Sequence, residues 1–297
     1  MPTNKENNLR IRMFGVRGLV PSSGEHLKKY GGNTSCALLN FDRNEKIFII
    51  DGGSGIKVFG EHLVKHENLD IHIFLTHYHT DHIIGLPFFL PLFKESEKIT
   101  FYGPKPIEKS LEKFILEHIK NSQVPVPLGK IQCDLQFKEI SEESFSIDEL
   151  KIKTQKMNHL INCIGYRFEL NEQSITFTTD HENYFESIDI ENSGQNEADN
   201  LNQKHLNFIK KSSILVSDAQ YLPSEYIRYK GWGHSSVLDA VNRAIAARVK
   251  ILILYHHDPN REDWQIDKII THYRRILEKK NIDMKIYAAR EGWEYIC

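Results

Sequence analysis

Apolar and polar positions along this chain fall into two successive blocks of short strands, each accompanied by helical patterns. After a polar tail over residues 1–8, residues 9–16 read as a strand. CALLNF and KIFIID read as two more, with a turn at Asp42–Glu45 between them. Residues 55–66 read as helical, IHIFLT (71–76) as a buried strand, and GLPFFLPLF (85–93) as a short helix and loop. KITFYGP follows as a strand, and residues 105–121 place Ile107, Leu111, Phe114, Ile115 and Ile119 at helical spacing. The second half has the same character, with strands at 134–140, 149–158, 163–170 and 174–179, then in SILVSD, KILILY and MKIYAA. Its helices fall over SSVLDAVNRAIAARV, with Ser235 or Ser236 near the N-cap, and over DWQIDKIITHYRRILEKKN. The polar, acidic stretch at 181–203 reads as a mobile insertion with some helix. The pattern predicts an α+β sandwich of two sheets with helices outside, as a single domain over residues 1–297.

Composition narrows the setting. A chain of 297 residues that is 40% hydrophobic and 26% charged can bury a sizeable core. A formal charge of −2 argues against a protein that grips long nucleic acid mainly by its phosphates, although a local basic patch stays open. Cys36, Cys133, Cys163 and Cys297 lie far apart without a CxxC pair and read as reduced thiols. The start MPTNKENNLRIRMFG has no apolar h-region, and no apolar run reaches the roughly 18 residues that span a membrane. The expectation is a cytoplasmic protein with no membrane partner, and a homodimer as the general prior for soluble proteins.

The densest chemistry is HYHTDH, which supplies His77, His79, Asp81 and His82 directly after an apolar strand. On extended chain, residues two apart point the same way, so His77 and His79 can share one ion. Asp81 and His82 stand where the chain turns and can reach a second. Imidazole and carboxylate suit zinc, iron or manganese. Four ligand-type residues within six positions make a bland polar loop a poor account.

This HxHxDH signature resembles the metallo-β-lactamase superfamily, and later motifs occur in that family's order over nearly the whole chain. The resemblance implies a four-layer αββα sandwich and two divalent metal ions, zinc first, with manganese or iron as alternatives. His159 in KMNHLINCIGYRFE matches the histidine that completes the first site, Asp180 in ITFTTD the bridging aspartate, and His256 in LILYHHDP the last histidine. The implied sets are His77, His79, His159 and Asp180 for one ion, and Asp81, His82, Asp180 and His256 for the other. Taken alone, His159 reads better as a satisfied core or loop histidine; a turn cap is the alternative for Asp180, and His257 is the alternative to His256.

GWGHSS places His234 before a helix, and SDAQY places Asp218 at a strand end. Together they resemble the RNase Z and phosphodiesterase branch, in which an acid on a neighbouring strand orients such a histidine. That acid is often a glutamate in a HEAT-like motif, whereas here it is Asp218 without the preceding histidine. GVRGLVP, YGGNTSC and DGGSGI resemble bacterial cyclic-nucleotide phosphodiesterase-like members. They offer either Asn33 as a substrate contact or, equally, turn chemistry between strands, with Arg17 either on a phosphate or in a structural ion pair. RNase Z carries a long arm between its third metal histidine and bridging aspartate. Here 20 residues separate His159 from Asp180, and they read as two strands. Tyr221, Tyr226, Tyr229 and Trp232, interleaved with Arg228 and Lys230, form either a lid that stacks a base, with Tyr229 and Trp232 as contacts, or packing for a loop.

The resulting expectation is a metal-dependent phosphodiesterase on a small phosphodiester, with a cyclic nucleotide as substrate. A metal-bridging hydroxide attacks phosphorus, Asp81 orients or deprotonates that water, and His234, held by Asp218, assists departure of the sugar oxygen. The alternatives are an RNase acting on RNA 3′ ends, a lactone or thioester hydrolase, and a non-enzymatic nucleotide sensor.

Overall fold

A computed structural model of the chain describes residues 8–42, 44–120, 131–185 and 195–297. Positions 1–7 of the polar tail, Arg43 in the expected 42–45 turn, residue 121 of the expected 105–121 helix and 186–194 of the expected insertion lie outside the described residues. The chain forms two compact units. One comprises Met1–Ser141, Asp258–Asp263 and Ala289–Cys297, the other Glu142–His257 and Trp264–Ala288.

The first unit holds strands β1 (Arg10–Gly15), β2 (Cys36–Asn40) and β3 (Ile47–Ile50), helix α1 (Gly55–Leu63), strand β4 (Asp70–Phe74), the short helix α2 (Thr80–Ile83), strand β5 (Lys98–Pro104), helix α3 (Leu111–Lys120) and strand β6 (Asp134–Ile140). These six strands lie side by side in chain order, and the C-terminal strand Glu294–Ile296 is added outside β1. The pairs from the C-terminal strand to β3 are antiparallel, and those from β3 to β6 are parallel. Alternate residues of β4, Ile71 and Ile73, enter one apolar cluster with Ile56, Phe59 and Leu63 of α1. Each such side chain contributes roughly 1.5–3 kcal/mol on burial. That cluster gives the next residues, HYHTDH, a rigid base.

Helix α3 begins at Leu111 rather than at 105, because Ser110 accepts from the Lys113 amide as a cap, and Ile107 is left 86% exposed. Arg17 is fully buried, with Nε donating to the Gly31 carbonyl and Nη1 to those of Asp258 and Arg261. Nη2 also stands 3.9 Å from Asp263 Oδ1, a long ion pair beside these carbonyl bonds.

The second unit runs β7 (Ser144–Ile147), β8 (Leu150–Lys156), β9 (Ile164–Leu170), β10 (Gln173–Thr178), α4 (Gln195–Ile209), β11 (Ile214–Asp218), α5 (Pro223–Tyr229), α6 (Val237–Ala246), β12 (Ile251–Tyr255), α7 (Asp263–Lys279) and β13 (Lys285–Ala288). Its strands lie in the order β13-β12-β11-β10-β9-β8-β7, antiparallel from β7 to β10 and parallel from β10 to β13. Within the expected 181–203 insertion, the described residues from Gln195 onward belong to helix α4. Ser236 is the N-cap of α6, its hydroxyl accepting from the Asp239 amide. No helix among the described residues is long and apolar enough to cross a membrane.

Register brings the chemistry of this unit to one edge. Thr178 of β10 pairs with Ser217 of β11, and Asp218 with Tyr255 of β12. Asp180, Asp218 and His256 therefore emerge together at the carboxyl ends of three adjacent parallel strands, where open α/β sheets present their ligand sites.

Candidate metal centre

In the first unit, His77 and His82 are fully buried and Asp81 is nearly so. The His77 ring lies 4.7 Å from that of His79 and 4.1 Å from that of His82, centroid to centroid. The chain is extended at His79 and turns into α2 at Thr80, which carries Asp81 and His82 around beside the first two histidines. His82 Nε2 lies 3.4 Å from Asp81 Oδ2, which also accepts from the Leu19 amide at 2.8 Å. Gly53 permits this approach, since a Cβ there would stand 2.3 Å from the Asp81 carbonyl oxygen.

Asp51 is not among the sequence candidates, yet it organises this cluster. It follows β3, is fully buried and has a φ of 62°. Oδ1 accepts from the Thr76 amide and hydroxyl at 2.8 and 2.9 Å, and Oδ2 from Ser35 Oγ and His82 Nδ1, both at 2.8 Å. A carboxylate on Nδ1 fixes the tautomer that leaves the lone pair of His82 on Nε2. The available signal is an acid closing an apolar strand, FIID, which reads equally as turn chemistry.

In the second unit, one ligand atom each from Asp180, Asp218, His234 and His256 lie within 4.8 Å of one another, all four residues being buried. His256 Nε2 is 3.5 Å from Asp180 Oδ1, and its Nδ1 hydrogen-bonds Gln220 Oε1 at 3.0 Å. Between the two adjacent histidines it is thus His256 that joins Asp180. His159 Nε2 is 3.7 Å from Asp180 Oδ2, and Nδ1 donates to the Gly233 carbonyl at 3.1 Å. Gln220 is a second positioning group; it lies within SDAQY, of which only Asp218 is a sequence candidate.

His234 and Asp218, 16 residues apart in sequence, meet at 2.7 Å through Nδ1 and Oδ2, while Asp218 Oδ1 accepts from the Ser235 amide. The His234 ring stacks on that of His256 at 5.0 Å and 13°. Tyr221 lies edge-on to His234 and stacks on Tyr229 at 4.6 Å, which in turn meets Trp232 edge-on. Trp232 is 54% exposed. The expected lid segment is partly helical: Pro223 opens α5, and Glu225 accepts from the Leu222 amide. Asn33 belongs to the first unit, and its amide is engaged at both ends, donating to Glu291 and accepting from Ser54 Oγ.

Both sets fit a divalent transition metal by their donor chemistry. They combine buried imidazoles and carboxylates, and three of the histidines have Nδ1 engaged by Asp51, Gln220 or the Gly233 carbonyl. Such partners orient Nε2 as the ligating atom.

Residues 21–201 match the model of the family described as Anti-Pycsar protein Apyc1. Ribonuclease Z of Oceanobacillus iheyensis is 25% identical over 299 aligned residues, covering 86% of this chain and 93% of that protein. Further ribonuclease Z relatives match over about half of their own length. Among solved structures, the metallo-β-lactamase fold protein YhfI from Bacillus subtilis aligns with a TM-score of 0.66 at 16% identity, over 98% of this chain and 100% of that one. Unliganded yeast PDE1 aligns with a TM-score of 0.68 at 16% identity, over 97% and 99%. These alignments establish the expected fold.

Proposed function

This chain belongs to the Anti-Pycsar protein Apyc1 family, in the ribonuclease Z and phosphodiesterase branch of the metallo-β-lactamase superfamily, and we propose that it hydrolyses a cyclic nucleotide. It is a metal-dependent hydrolase of the phosphodiesterase kind. The reading assigns His77, His79, His159 and Asp180 to one ion and Asp81, His82, Asp180 and His256 to the other, with zinc as the metal. When bound, two such ions supply Lewis acidity toward a phosphoryl oxygen and lower the pKa of water.

The observation that carries the reading is the Asp218–His234 pair at 2.7 Å, with His234 stacked on His256. Expulsion of a sugar alkoxide needs a proton, because its conjugate acid is weak. In its protonated form, an imidazolium held through Nδ1–H by a carboxylate presents Nε2–H as the donor. As water oxygen joins phosphorus and the phosphorus–oxygen ester bond breaks, the Nε2 proton passes to the leaving oxygen. Asp81 takes or orients the proton of the attacking water. Trp232, exposed and edge-on to Tyr229, supplies a face for a base.

The ribonuclease Z relatives favour a second reading, cleavage of RNA 3′ ends. Against it, β9 and β10 fill the span between His159 and Asp180 and are joined by only Asn171 and Glu172, which leaves no room there for an arm. A formal charge of −2 also disfavours many phosphate contacts. The metal-loaded protein should turn over a cyclic nucleotide faster than precursor tRNA at physiological salt and keep that preference as salt is raised. Specific release of a tRNA 3′ trailer without cleavage of any cyclic nucleotide would replace this reading with the second.

A further inference from the structure

Glu182 lies two residues beyond Asp180, is 2% exposed and forms no ion pair with lysine or arginine among the described residues. A carboxylate buried without a cation is costly, so its hydrogen bonds must hold it. Oε1 accepts from Tyr226 Oη at 2.6 Å and from the Gly231 amide at 2.8 Å, and Oε2 accepts from the Gly233 amide at 2.9 Å. Burial, then the Glu182 carboxylate, push the Tyr226 phenol upward, so its hydroxyl stays a donor. Gly231 and Gly233 have φ of 91° and 82°, and their two amides converge on the carboxylate as a backbone nest.

The same short segment sets a histidine. The Gly233 carbonyl accepts from His159 Nδ1, and a Cβ on Gly233 would stand 2.2 Å from that nitrogen. The Glu182 amide donates to the Asn158 carbonyl at 3.0 Å, which closes a ring through Asn158, His159, Gly233 and Glu182. His234 is the next residue after Gly233, and Tyr229 and Trp232 lie within the gathered segment.

We propose that Glu182 is a positioning residue: its carboxylate gathers Tyr226, Gly231 and Gly233, and thereby aims His159 Nε2 toward Asp180. This rests on the reading of His159 as a metal ligand. Glu182→Gln keeps the shape but places an N–H where N–H and O–H groups already point.

Two measurements on the full chain test this. Competition of the metal-free protein for Zn²⁺ against a chromophoric chelator should show the Glu182→Gln Kd raised by about 10–100-fold, the range for lost partners of metal-bound histidines. Tyr226→Phe, which leaves both glycine amides bonded, should show a smaller rise. Hydrogen exchange in the metal-free protein should speed up over 226–234 in Glu182→Gln. A wild-type Zn²⁺ Kd in folded Glu182→Gln overturns the proposal whatever its melting temperature, because a merely structural glutamate would lower stability alone. Unchanged exchange overturns it too. If the wild-type protein binds no Zn²⁺, the metal reading itself fails, and faster exchange in the variant would still identify the glutamate as the clamp of a segment without a metal. If Glu182→Gln does not fold, Glu182→Asp carries the same comparison, since it retains the charge but withdraws it by one methylene: a raised Kd supports the proposal and an unchanged Kd overturns it.

Discussion

Replacing Asp51 by Asn tests whether His82 is aimed by its buried partner. Asparagine tolerates the left-handed backbone that Asp51 adopts at φ 62°, so the change isolates the carboxylate. With Oδ1 kept on the Thr76 amide and hydroxyl, the new NH₂ falls where Oδ2 now accepts from Ser35 Oγ and His82 Nδ1. The serine hydroxyl can rotate to accept. The imidazole has two options. Either Nδ1–H faces N–H, a buried unmade bond costing about 1–3 kcal/mol, or the ring proton moves to Nε2 and occupies the ligating lone pair. A penalty of about 1.4–2.8 kcal/mol corresponds to a 10–100-fold weaker Kd. The assay is chelator competition for Zn²⁺ with metal-free wild type and Asp51→Asn, with circular dichroism to establish folding. A folded Asp51→Asn whose Zn²⁺ Kd matches wild type would refute the reasoning, and Nε2 of His82 would then not be a ligand.

Three further outcomes are expected. Purified protein should carry close to two transition-metal ions per chain by elemental analysis, His79→Ala and Asp180→Ala should each lower that content, and a chelator should abolish hydrolysis; full activity in metal-free protein would refute the mechanism. His234→Ala should keep its metals yet lose roughly 10²–10⁴-fold in rate, with the loss shrinking for nitrophenolate leaving groups that need no proton; equal losses on both substrate types would make His234 a binding group and not the acid. His181 and His205, stacked at 3.8 Å, are held well below the ordinary histidine value of 6.5, in both cases by burial first. The unfolded chain therefore takes up protons below about pH 6.5 that the folded chain refuses, so this stability is present above that pH and is lost as pH falls through it. The melting temperature of chelator-treated protein should fall on acidification below about pH 6.5, and less steeply in His205→Phe; an identical slope in the variant would show that other groups govern the acid limb.

The parts of the molecule legible from its letters are those where chemistry is locally dense or packing is strong. HYHTDH holds four ligand-type residues behind a strand whose alternate residues enter the core, and its side chains do gather in space. The Asp218–His234 contact is also legible, because a strand end and a helix start each bear one partner. Asp51, Gln220 and Glu182 escape because their work lies in hydrogen bonds to distant segments, and no local pattern encodes those. Short strand β7 escapes for a different reason. It has a single buried residue, so it lacks a full period of apolar alternation. Ile107 misleads in the opposite sense: helical spacing extends the pattern by a turn beyond the residue that caps α3.

The same backbone device recurs in each unit. Asp51, Asp180 and His256 all follow the carboxyl ends of strands, and all have left-handed backbone, at φ 62°, 51° and 59°. Continued extended chain would alternate side chains across the sheet, whereas a left-handed residue breaks the alternation and turns the chain out at the edge. Such a conformation costs a non-glycine residue on the order of 1–3 kcal/mol, and less where a short polar side chain bonds locally. Each of the three has compensating contacts: Thr76, Ser35 and His82 for Asp51, the Thr179 hydroxyl for Asp180, and Gln220 for His256. At about 0.5–1.5 kcal/mol per neutral hydrogen bond, and more to a charged group, these contacts are of the size needed to offset the strain. Truncating one of the partners should therefore weaken Zn²⁺ binding, because the strained residue loses what fixes it.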